Sequence, residues 1–133
     1  MRKYNTPLIL FFLFVTSCKE ETIVSNSEQP VPVIVDLQWG FTERHVEVYF
    51  DHELSFYADL SAFTYGPSAR FNAYLLRDSH SINVVWRTYS PNSIIQKDSA
   101  TFLIESANKC YLGLELRDDT VSVKVQDTPF LYL

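Results

Sequence analysis

From residue 31 onward, apolar and polar residues alternate with a period of two. Val31, Val33, Val35 and Leu37 share one face of a first strand. Val46, Val48 and Phe50 alternate with His45, Glu47, Tyr49 and Asp51, and Leu54, Phe56, Ala58 and Leu60 alternate with Ser55, Tyr57, Asp59 and Ser61. The same pattern returns at Ile82, Val84 and Trp86, at Leu112, Leu114 and Leu116, and at Val121, Val123 and Val125. Period-two alternation is the signature of a half-buried strand. Two noisier runs, 70–77 and 99–105, complete a set of about eight strands.

Turn-forming residues separate these runs: Trp39-Gly40, Asp51-His52-Glu53, Gly66-Pro67, Asp78-Ser79, Ser90-Pro91-Asn92, Ala107-Asn108 and Asp118-Asp119. No stretch carries ten residues at helical period with caps. Short strands at this spacing predict an all-β domain, an immunoglobulin-like antiparallel β-sandwich of seven or eight strands over 31–133. A small β-barrel is the alternative.

The first seventeen residues follow other rules. Arg2-Lys3 precede eight apolar residues, Leu8 to Val15, then Thr16-Ser17-Cys18. A membrane-crossing helix needs about 20 apolar residues, so this run suits a cleaved export signal instead. Val15-Thr16-Ser17-Cys18 resembles the lipobox of bacterial lipoproteins. That resemblance implies a signal peptide over 1–17, removed to leave Cys18 as the lipidated first residue. Lys19-Glu20-Glu21 looks like the surface-export signal of Bacteroidota lipoproteins, which implies an outer-membrane anchor facing the cell surface or the periplasm. Residues 18–30 then form a tether rich in Ser, Glu and Thr; a flexible coil of that length spans about 20 Å.

Composition excludes classes more readily than it names one. The 133 residues carry a formal charge of −5, without the basic footprint of a nucleic-acid binder. Losing Arg2 and Lys3 with the signal takes that charge from −5 to −7. The two cysteines form no bridge if Cys18 is acylated, and Cys110 shares parity with Leu112, so it is expected inside as a small hydrophobe.

Candidate chemistry is sparse. His45, His52 and His80 show no metal-ligand spacing, and Asp51-His52-Glu53, three potential ligands in a row, diverge in a turn. Read as a three-residue hairpin loop, that run sets Phe50 opposite Leu54 and His45 opposite Asp59; a longer loop would set Tyr49 opposite Tyr57. With glycine only at positions 40, 66 and 113, no phosphate loop or nucleophile elbow is present. No residue is assigned a catalytic, cofactor or metal role.

Tyr49, Tyr57, Tyr74 and Tyr89 fall on outward faces, where tyrosines can stack on sugar rings or contact a protein, though they also suit ordinary sheet surface. Gly113, inside a regular strand, marks a bulge or a close approach. Pro129-Phe130-Leu131-Tyr132-Leu133 is expected to dock as a short final strand. The reading is a lipid-anchored, non-enzymatic binding module with a protein or glycan partner. A structural accessory subunit of an envelope complex is the alternative, and a small hydrolase comes after that.

Overall fold

A computed structural model describes residues 29–61, 65–106 and 108–133. The signal at 1–17, Cys18, Lys19-Glu20-Glu21 and the tether up to residue 28 lie outside the described residues.

Eight strands form: β1 (Val31–Leu37), β2 (Arg44–Phe50), β3 (Glu53–Leu60), β4 (Ala69–Leu75), β5 (Ser79–Thr88), β6 (Gln96–Leu103), β7 (Cys110–Arg117) and β8 (Thr120–Gln126). They make two four-stranded sheets, ordered β4-β1-β7-β8 and β3-β2-β5-β6. The sheets face one another with open edges, giving the all-β sandwich and not the closed barrel. One pairing departs from the otherwise antiparallel arrangement: β1 runs parallel to β7.

The alternating residues build the core. Val33, Val35 and Leu37 of β1, Val46 and Val48 of β2, Val84 and Trp86 of β5, and Leu112 and Leu114 of β7 are buried between the sheets. Cys110 is buried as expected, and burial pushes its thiol pKa up, with the charge of Asp127 adding to the effect. Phe41 and Ile104 also lie in the core, although both sit outside strands where parity gives no signal.

The β2–β3 hairpin corrects one detail of register. Its loop is two residues long, Asp51 and His52, and Phe50 pairs with Glu53, not Leu54. Both loop residues have positive φ, 47° and 70°, as a type I′ turn requires. A β-bulge at Ser55 then inserts one extra residue, so Val48 faces Phe56 and His45 still faces Asp59. The bulge also turns Leu54 outward, where it is 48% exposed. Asp118 and Asp119, both at positive φ, form the same kind of tight loop between β7 and β8.

The end of the chain docks, but not as a strand. After β8 it returns across the outer face of the first sheet, where Gly113 leaves room for it. A Cβ at Gly113 would lie 2.7 Å from both the Phe130 ring and the Gln38 side-chain nitrogen. Close approach, not a bulge, therefore accounts for this glycine. Phe130 is half-buried and Tyr132 is 36% exposed, while Leu131 and Leu133 point into solvent. Removing residues 130–133 should lower stability by about 2–4 kcal/mol, the contribution of two partly buried rings and one hydrogen bond. Thermal unfolding of the truncated chain checks this; an unchanged Tm would mean the segment does not dock.

Candidate functional site

The strand directions give the sandwich two ends. β1 starts at Val31, the end of the sandwich nearest residues 29–30, and finishes about 20 Å away at Leu37. The connection between β1 and β2, the segment 65–68 leading into β4, and residues 131–133 all gather at that far end. They enclose a cavity of about 260 Å³.

Backbone hydrogen bonds fix the walls. Gln38 N–H donates to the Leu114 carbonyl at 2.8 Å, and Leu116 N–H donates to the Trp39 carbonyl at 2.8 Å, so β1 continues to track β7 beyond its last strand residue. The chain then turns sharply at Gly40, with φ at +89°. A Cβ there would fall 1.9 Å from the Leu116 carbonyl oxygen, so only glycine lets the turn lie this close to β7. Across the cavity, Ser68 N–H donates to the Leu37 carbonyl at 2.7 Å and the Ser68 hydroxyl to the Gln38 carbonyl at 3.1 Å.

Trp39 and Tyr65 stand at the rim, 59% and 98% exposed, and Tyr132 closes the site from the C-terminal side. Gln38, Thr42 and Ser68 add an amide and two hydroxyls. Among the described residues, none that lines the cavity has a charged side chain.

Charge lies just behind the wall instead. Asp36, on the outer face of β1, is 1% exposed and opposite Arg70 of β4. Arg70 donates to both carboxylate oxygens, at 2.6 and 2.9 Å, and this fork raises the guanidinium pKa further above its usual value. The Tyr132 hydroxyl donates to Asp36 Oδ2 at 2.6 Å and accepts from Gln38 Nε2 at 3.2 Å. Burial and this bond to a carboxylate hold the Tyr132 pKa up to about 12, so the phenol stays a donor. Asp36 thus anchors the C-terminal wall of the cavity from beneath.

The other positions singled out by sequence are dispersed. His45 and Asp59 meet at 2.6 Å across β2 and β3, with Glu47 3.7 Å from the ring. Tyr49 and Tyr57 belong to the outer face of the second sheet and Tyr74 to that of the first, so they form no common platform. Tyr89 follows β5 and donates to the Leu60 carbonyl at 2.7 Å. Among the described residues, no group of three His, Cys, Asp or Glu is placed to hold a metal ion.

At the opposite end, where β1 starts, Asp51 and His80 form an arrangement that spacing does not suggest. His80, 8% exposed, places Nδ1 2.6 Å from Asp51 and Nε2 2.7 Å from the Leu76 carbonyl. Asp51 also accepts from the Ser81 backbone N–H at 2.9 Å, tying the β2–β3 loop to β5. Burial opposes a charge on His80, but the bonds to Asp51 and Leu76, with the charges of Asp51 and Asp78, outweigh it and raise its pKa above the ordinary 6.5. The bond from His80 is the main cause that lowers the Asp51 pKa below 3.8.

The signs follow from linkage. The His80 contribution is complete below pH 6.5 and fades as pH rises through its raised folded value. The Asp51 contribution is complete above pH 3.8 and fades as pH falls through its lowered value. Asp51→Asn, which suits the left-handed loop position, should therefore flatten the loss of Tm between about pH 6 and pH 9. Parallel melting profiles for the two proteins across that range would refute the pairing.

Comparison with known proteins adds no relative to this geometry: no protein family, curated protein or solved structure matches the chain.

Proposed function

We propose that the protein is a lipid-anchored, non-enzymatic binding module of the outer membrane or cell surface, taking its ligand in the aromatic cavity at the end of the sandwich remote from the tether. The observation that carries this reading is the position of that cavity. Exposed Trp39 and Tyr65 flank a formed recess, the usual combination of apolar lining and a few polar groups in a binding site. Anchored through Cys18 and leashed by residues 18–30, the domain would hold its tether end toward the membrane and present the cavity outward. Lipidation supplies the hold, because two or three acyl chains retain a protein that one would release.

Cross-linking tests the reading. A photoreactive residue replaces Thr42 at the cavity or His52 in the exposed hairpin at the tether end, in the full chain expressed in membranes. Adducts at position 42, absent at position 52, are expected. Adducts at neither position, or only at position 52, would overturn the placement of the site. Cys18→Ala should move the protein from the membrane to the soluble fraction; unchanged retention would overturn the anchor.

A further inference from the structure

We infer that the ligand taken by the far-end cavity is an uncharged sugar, held with one ring against Trp39 and Tyr65 and its hydroxyls against Gln38, Thr42 and Ser68. This rests on the reading of the cavity as the binding site and specifies the chemistry it selects.

Three observations combine. The first concerns charge: the chain carries a formal −5, yet among the described residues no lining side chain is charged. Arg70, in the network behind the recess, is already forked onto Asp36 and does not line the cavity. An anionic ligand would lose its water without gaining a counter-charge.

The second is the mixture of rings with hydrogen-bonding groups. A methylated ammonium would be drawn to aromatic faces, but it offers no donor or acceptor to the amide and hydroxyls between them. The Gln38 and Ser68 side chains each make one hydrogen bond within the fold. Their remaining capacity and the Thr42 hydroxyl would then be covered without partners, against a usual cost of about 1–3 kcal/mol for a fully unpaired group. A sugar supplies both an apolar ring face for stacking and hydroxyls at its edge. A purely apolar peptide side chain would fail on the same count as the ammonium.

The third is size and shape. A cavity of about 260 Å³ suits one ring or two, not a folded partner, and the exposed rims at Trp39 and Tyr65 allow a longer chain to run out of it. Gly40 and Gly66 follow the two aromatic positions and also line the cavity.

Isothermal titration of the domain against a panel of neutral oligosaccharides, covering common hexose, pentose and N-acetylhexosamine linkages, provides the test. Oligogalacturonate serves as the anionic probe and phosphocholine as the quaternary ammonium. At least one neutral sugar should bind with Kd below about 1 mM. Trp39→Ala should weaken it by at least about tenfold, Trp39→Phe should restore most of the affinity, and Tyr57→Ala on the outer sheet face should leave it unchanged. Tm is recorded for each variant, so that an unfolded protein is not mistaken for a non-binder.

Equal or tighter binding of oligogalacturonate or phosphocholine would overturn the sugar assignment while leaving the cavity as the site. Silence from every neutral sugar would overturn it too. Cross-links at position 42 would then show that the site survives with a different ligand, and their absence that both readings fall.

Discussion

Gly40→Ala should destabilise the domain by about 2–5 kcal/mol and disrupt the cavity at the same time. The substitution meets two separate costs. A left-handed backbone costs a residue with a Cβ about 1–2 kcal/mol, and φ at Gly40 is +89°. The added methyl would also lie 1.9 Å from the Leu116 carbonyl oxygen, so β7 or the turn must move. Overpacking of that kind adds about 1–3 kcal/mol. Any movement carries Trp39, whose carbonyl is bonded to Leu116 N–H.

Gly66→Ala is the matched control. Its φ of +120° is also unfavourable for alanine, but a Cβ there meets nothing within 4 Å. It should lose only the conformational part, about 1–2 kcal/mol. Denaturant unfolding of both variants measures the difference. Equal losses would mean that the turn does not lie against β7 as described.

Arg70→Ala is expected to cost about 3 kcal/mol. Asp36 is 1% exposed, and Arg70 supplies two of the three hydrogen bonds it receives from side chains. Removing one partner of a buried ion pair typically costs about 3–5 kcal/mol, because the remaining charge stays desolvated. The lower end applies here, since the Arg70 side chain is 51% exposed and part of its attraction is screened. Arg70→Lys should recover only part of the loss, because a single ammonium cannot reproduce the two-pronged contact. The loss should also appear as weaker ligand binding, since Asp36 holds Tyr132 in the cavity wall. A stability change below about 0.5 kcal/mol would place the pair among ordinary surface ion pairs.

The sandwich was legible in the sequence because strand parity is a local property. Val33, Val46, Val84 and Leu112 each reveal their facing through neighbours two residues away, and all four are buried. The His45–Asp59 pairing was reached for a different reason. A loop one residue shorter than read and a bulge of one residue at Ser55 offset each other, so the distant pair survived while Phe50 and Leu54 separated. Neither the bulge nor the parallel pairing of β1 with β7 leaves a period in the sequence.

The candidate site was much less legible. Trp39, Tyr65 and Tyr132 lie in connections and in the chain end, where alternation carries no information, and they meet only through the crossing of segments far apart in sequence. Alternation marks Tyr49, Tyr57 and Tyr74 instead, which the two sheets send to opposite sides of the domain. Gly40 did carry a signal: a glycine beside an exposed tryptophan in a short connection is compatible with a constrained turn at a surface recess. The Asp36–Arg70 pair followed from strand register, which one sequence does not supply. His80 and Asp51, 29 residues apart, meet for the same reason.

The proposed placement of a binding site at the end remote from the start of β1 is tested most directly by amide chemical-shift mapping of the protein during titration with a pool of neutral oligosaccharides. Shifts confined to residues 38–42, 65–68 and 131–133, with Asp51, His52 and residues 76–81 unmoved, are the predicted result. Shifts clustered instead at the Asp51-His52 hairpin or on an outer sheet face would contradict it, and no shifts at all would contradict the sugar assignment.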